Sequence, residues 1–109
     1  MTMESAWVVH KFGGTSLADA KRYRRAAEIM RAQDGARKAI VVSAMSKVTN
    51  ALLELVDLAR ARDDKYVGRI DALKTRHLET AEALLAPDSK QKLVGVLESD
   101  FRDIAEILR

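Results

Sequence analysis

Two short apolar runs interrupt an otherwise helical pattern of hydrophobic and polar positions. Trp7-Val8-Val9-His10-Lys11-Phe12 is rich in β-formers and is stopped by Gly13-Gly14, which predicts a strand ending in a tight turn. Ala39-Ile40-Val41-Val42-Ser43 is nearly unbroken in its apolar character, as expected of a strand covered on both faces of a parallel sheet. Between them Leu17, Ala20, Tyr23, Ala27 and Met30 recur at three- and four-residue steps, with Lys21, Arg22, Arg24, Arg25 and Glu28 mostly opposite. That is the stripe of an amphipathic helix. Thr15 or Ser16 can cap its start, Asp19 would complement its dipole from the first turn, and Gly35 would end it. Strand, helix and strand within about 40 residues make a βαβ unit, whose crossover is expected to be right-handed.

The rest of the chain reads as three helices. Val48, Leu52, Leu55, Val56 and Ala59 form the first stripe. Val67, Ile70, Leu73, His77, Ala81 and Leu84 form the second, ended by Pro87, and Leu93, Leu97, Phe101, Ile104 and Leu108 form the third. Asp88 and Gln91 have the spacing of a capping box at the start of that last helix. His10 falls in a strand and His77 on an apolar stripe, where packed histidines are the expectation. Two parallel strands make a poor sheet, since sheets usually hold four or more, and the helical period is still running at Arg109. The expected architecture is therefore the amino-terminal part of a larger α/β domain. Residues 1–62 would form a βαβα start that carries the loops, and residues 63–109 a helical excursion. A small α+β domain ending in a helix is the alternative.

Composition narrows the chemistry. A length of 109 residues is that of one domain, able to bury roughly 60–68% of its unfolded surface, so one core is expected. A hydrophobic fraction of 48% excludes a disordered chain. With no cysteine and two histidines, disulfide scaffolds, thiol nucleophiles and cysteine- or histidine-rich metal sites are excluded. Lys21, Arg22, Arg24, Arg25 and Arg31, followed by Arg37 and Lys38, are the best case for a nucleic-acid-binding face. Against it stand a net charge of only +3, an aromatic fraction of 5% and no accompanying recognition motif. Asp57, Asp63 and Asp64 alternate with Arg60, Arg62 and Lys65 as on a solvated surface. Met1–Ser5 lacks the basic start of a signal peptide, and neither apolar run approaches the roughly 20 residues of a membrane helix. The expectation is a soluble, cytoplasmic protein without nucleic-acid or membrane partners.

Lys11-Phe12-Gly13-Gly14-Thr15-Ser16 is the most informative stretch. A lysine at the carboxyl end of a buried strand is costly unless an anion meets it. Gly13 and Gly14 let backbone approach a ligand, and the amides through Ser16, read as a helix amino terminus, make an anion site. The order is neither that of a P-loop, because the lysine precedes the glycines, nor G-x-G-x-x-G. The competing reading is a glycine turn whose strand-end lysine reaches into solvent. Ser43-Ala44-Met45-Ser46-Lys47-Val48-Thr49-Asn50 leaves the second strand at the same sheet edge, where ligands of open α/β sheets bind. Its hydroxyls and Lys47 suit a small polar substrate, or serve as caps and turns.

Taken together, Lys11–Ser16 and Val41–Leu53 resemble the opening of the aspartokinases, in the amino-acid kinase superfamily, and His77–Leu85 resembles a helical segment that follows there. The lysine-glycine-glycine element is shared with glutamate and acetylglutamate kinases; the Thr15-Ser16 ending and the Ser43-Ala44 strand end followed by Thr49-Asn50 favour aspartokinase. The resemblance implies a truncated three-layer amino-acid kinase fold and transfer of the ATP γ-phosphoryl group, with Mg²⁺, to the side-chain carboxylate of L-aspartate. That reaction opens a route to lysine and threonine biosynthesis. By position it makes Lys11 the catalytic cation, assigns ATP to Lys11, Phe12, Gly13 and Gly14, and assigns aspartate to Ser43 and Thr49. It further implies a homo-oligomeric parent several times longer than this chain, which alone would be inactive. A glutamate- or acetylglutamate-type kinase is the alternative enzyme.

Overall fold

The computed structural model describes residues 6–35 and 37–109; the Met1–Ser5 stretch read for a targeting signal lies outside them. The chain divides into two compact units, Met1–Ser46 and Lys47–Arg109. Each unit contributes buried side chains.

In the first unit, strand β1 (Val8–Phe12) leads through a 3-10 turn (Gly14–Leu17) into helix α1 (Ala20–Ala32) and strand β2 (Lys38–Val42). The strands pair in parallel, from Val8 opposite Lys38 to Phe12 opposite Val42. One hydrogen bond extends the ladder at each end, Val8 N–H to the Arg37 carbonyl (2.8 Å) and Ser43 N–H to the Phe12 carbonyl (3.1 Å). The expected β-α-β order is therefore present. Phe12, Leu17 and Ala26 are buried together, with Tyr23 and Met30 packed against them. His10 is half-buried, its ring parallel to Phe12 at 6.3 Å, and among the described residues its Nε2 has no hydrogen-bond partner.

Three local expectations need correction. The start of α1 is capped by Asp19, not by Thr15 or Ser16, because the 3-10 turn intervenes and moves the helix start to Ala20. The Asp19 carboxylate accepts the Arg22 N–H at 2.9 Å and the Arg22 guanidinium at 2.7 Å. Helix α1 ends before Gly35, with Gln33 as its C-cap; Gly35, at φ +119°, turns the connection that follows. The Lys38 ammonium donates to the Met30 carbonyl at 2.8 Å, satisfying an acceptor in the last turn of α1. Finally, β2 is not covered on both faces: Ile40, Val41 and Val42 are 42%, 48% and 61% exposed. Within this unit β2 has one partner strand and one helix, too little to bury a run that apolar.

The second unit is helical, with α2 (Val48–Arg60), α3 (Lys65–Leu84) and α4 (Pro87–Leu108), and α3 packs on both other helices. Val48, Leu55, Ile70, Leu73, Ala81 and Phe101 are its buried apolar residues. The three predicted stripes supply all six, but Leu52, Val56, Val67 and Leu93 on the same stripes are exposed. Helix α2 stops at a left-handed Arg62 (φ 55°), with Asp63 N–H bonded to the Leu58 carbonyl and Arg62 N–H to that of Ala59. This is the Schellman pattern, here without its usual glycine. Glu54 and Arg69 join α2 to α3 at 2.6 Å, and Glu82 and Lys90 join α3 to α4 at 2.8 Å. His77 is half-buried as expected: its Nδ1–H donates to the Leu73 carbonyl at 2.8 Å, and its ring meets Phe101 edge-on at 5.4 Å. The capping box at Asp88 and Gln91 does not form. Pro87 opens α4 and Asp88 lies inside the first turn, with Ala86 as a cap that makes no side-chain bond. Among the described residues no helix is long and apolar enough to cross a membrane.

Candidate functional site

Alternation along β1 sends Val8, His10 and Phe12 toward the covered side and leaves Val9 and Lys11 exposed. Lys11 therefore stands in solvent at the carboxyl end of β1, opposite Val41, and no side chain among the described residues pairs with it. The desolvation argument for an anion at this lysine consequently does not hold; the group is simply available. Phe12 is buried and its carbonyl is taken by Ser43, so its side chain belongs to the core.

The next residues turn sharply. Gly13 is extended (φ −79°, ψ 176°), and Ser16 N–H bonds back to the Gly13 carbonyl at 3.1 Å. Among the described residues the amides of Gly13, Gly14 and Thr15 donate to no other group. Among the described residues, three successive N–H groups without a partner thus follow closely on an exposed lysine in sequence, and successive amides of this kind can serve phosphate oxygens. The helix-dipole part of the sequence argument fails, however. The amino terminus of α1 lies beyond the turn and is already occupied by the Asp19 carboxylate, whose pKa is held below the usual carboxylate range mainly by the Arg22 backbone N–H.

The two glycines differ in purpose. Space around a Cβ on Gly13 is open, whereas one on Gly14 would come to 3.3 Å from the Ala44 carbonyl oxygen and 3.4 Å from Ser46 Cα. Gly14 thus lets the segment after β1 lie against the segment after β2, bringing the turn beside Ala44–Ser46. Ser43 and Thr49 are both exposed. Ser43 follows β2 directly within the first unit, and Thr49 is in the first turn of α2 in the second. Sequence reasoning offered Lys47 for its charge but missed that it caps α2 in a left-handed conformation (φ 69°), a position a glycine would have announced. On the basic helix, Arg22 and Arg25 are engaged by Asp19 (2.7 Å) and Glu28 (3.5 Å).

Among the described residues no group of three or more acidic or histidine side chains could hold a metal ion.

The pattern of the amino acid kinase family matches residues 6–101. The chain is 39% identical over 103 residues to the chloroplastic bifunctional aspartokinase/homoserine dehydrogenase 1 of Zea mays, covering 94% of this chain and 11% of that protein. To bifunctional aspartokinase/homoserine dehydrogenase 2 of Escherichia coli K12 it is 31% identical over 100 residues, 92% of this chain and 12% of the relative. To the aspartokinase of Mycobacterium tuberculosis it is 48% identical over 52 residues, 46% of this chain and 12% of the relative. The chain spans about a tenth of the length of the curated relatives it matches.

Proposed function

This chain belongs to the amino acid kinase family, and on that premise we propose that it supplies the phosphate-binding turn of an aspartate kinase. In the proposed reaction a side-chain carboxylate oxygen of L-aspartate attacks the γ-phosphorus of ATP. The bond to the β,γ-bridging oxygen breaks, its electron pair leaves with ADP, and 4-phospho-L-aspartate forms. A carboxylate is ionised at neutral pH, so no general base is required. What the reaction needs is in-line positioning of two anions and relief of their repulsion.

Lys11 answers the second need: its ammonium offsets charge on the transferring phosphoryl group. The amides of Gly13, Gly14 and Thr15 donate to phosphate oxygens. Phe12, its ring buried and its carbonyl taken by Ser43, fixes where the turn begins and offers no donor to phosphate. Ser43, exposed after β2, donates its hydroxyl to aspartate, and Thr49 does the same; the role of Thr49 rests on the family resemblance alone. Mg²⁺, when bound to the triphosphate, would neutralise further phosphate charge. Aspartate is favoured over glutamate-type acceptors because relatives covering nearly the whole chain carry aspartokinase names.

The observation that carries the reading is that, among the described residues, Lys11 is unpaired and the amides of Gly13, Gly14 and Thr15 that follow it have no partner. Titrating ¹⁵N-labelled chain with Mg-ATP tests it. Saturable shifts at Gly13, Gly14 and Thr15 that vanish in Lys11→Ala are expected; unmoved amides would overturn it. The chain alone is proposed to lack turnover, so aspartate-dependent ADP release from it would refute that part.

A further inference from the structure

On the helix side of the same unit a cleft of about 300 Å³, at the small end of ligand pockets, is bounded by two kinds of group. Phe12, Ala26 and Ile29 give it an apolar wall that continues into the buried cluster, while Thr15, Ser16, Arg22 and Arg25 give it polar and cationic edges. No lining residue is acidic. Neither Thr15 nor Ser16 has a side-chain hydrogen bond among the described residues. The two guanidiniums differ. Arg22 is held tightly by Asp19, but Arg25 meets Glu28 only at 3.5 Å, with both side chains mostly exposed. Such an exposed pair is weak and readily exchanged for another carboxylate.

A ligand complementary to these edges is an anion, and one complementary to the wall has an apolar body. We propose that the cleft binds a small amphipathic carboxylate, its head group between Arg25 and the Thr15 and Ser16 hydroxyls and its aliphatic part against Phe12, Ala26 and Ile29. A planar guanidinium suits a carboxylate in two-point contact. Lys11, Gly13 and Gly14 do not line the cleft, so it adjoins the proposed phosphate turn at Phe12 and Thr15 without including its ammonium or its glycines.

Hexanoate is the probe, with hexanol lacking the charge and acetate lacking the body. In ¹³C-methyl and ¹⁵N spectra of the chain, hexanoate should shift Ala26 and Ile29 saturably with a Kd on the order of 1 mM, reasonable for so few atoms. Hexanol and acetate should each bind at least about tenfold more weakly, one tenfold step being the least a lost group should show. Arg25→Gln, at an exposed position, should weaken hexanoate several-fold and leave hexanol unchanged; Ile29→Ser should weaken both. Hexanol equal to hexanoate, indifference to Arg25→Gln, or no saturation would each overturn the proposal. Mg-ATP shifts at Gly13 and Gly14 report the phosphate turn independently, so either idea can fail without the other.

Discussion

The Ala44 carbonyl oxygen lies where a Cβ on Gly14 would come to 3.3 Å, while nothing stands within 4 Å of a Cβ on Gly13. Adjacent glycines in one turn therefore answer to different constraints. Alanine at Gly14 meets the backbone of Ala44 and Ser46 and presses the two segments apart, which should destabilise the chain by about 1–3 kcal/mol, the range of overpacked sites. Alanine at Gly13 fits an extended backbone (φ −79°, ψ 176°) and restricts the unfolded chain, so stability should be unchanged or rise by up to about 1 kcal/mol. Urea unfolding of the two variants makes the comparison. Equal losses from both would show that Gly14 is not packed as described.

Lys38 is the second place where a single group ties two elements. Its ammonium donates to the Met30 carbonyl at the end of α1 while its backbone runs in β2. Lys38→Met keeps the aliphatic stem and removes the donor. The expected loss is about 1 kcal/mol, typical of one hydrogen bond, with hydrogen exchange faster at the end of α1 than in α3. Unchanged exchange in the last turn of α1 would show that the bond does not hold the helix end.

How much of this could be read from residues alone depends on whether the cause was local. The β-α-β order and the three following helices were legible because periods of two and near 3.6 are written in adjacent residues. The cap of α1 was misplaced because Thr15, Ser16 and Asp19 are all good caps, and only the 3-10 turn over Gly14–Leu17 selects the last. The exposure of Val41 and Val42 was not legible, since an apolar run records what a strand can bury and not what covers it. At the site, the lysine and glycines were visible in sequence. The Gly14–Ala44 contact and the left-handed Lys47 were not, because one is tertiary and the other breaks the residue preference that would have revealed it.

Asp19 gives a pH prediction with a definite sign. Its carboxyl is held below the usual range in the folded chain, chiefly by the Arg22 N–H, so the folded state binds that proton less tightly than the unfolded state. The resulting stabilisation is fully present above the ordinary carboxylate pKa and is lost as pH falls through the lower folded value. Asp19→Asn retains a capping side chain but cannot titrate. Melting temperature against pH should fall less steeply on the acid side for Asp19→Asn than for the native chain, and the two curves should converge at the acid end. Parallel curves would remove Asp19 from the acid response.

Lys11 offers the cleanest separation of function from folding. Its side chain is exposed and pairs with none among the described residues, so Lys11→Ala should leave the urea midpoint within about 0.5 kcal/mol of the native chain. If its ammonium meets transferring phosphate, the same replacement at the matching position of a full-length relative should lower kcat by roughly two to three orders of magnitude, as loss of a positioned charge partner does. The effect should fall mainly on kcat, because charge developing in the transition state gains most from the ammonium. A variant with native stability and a raised KM but unchanged kcat would make Lys11 a binding group only. Near-normal values of both would remove it from the site.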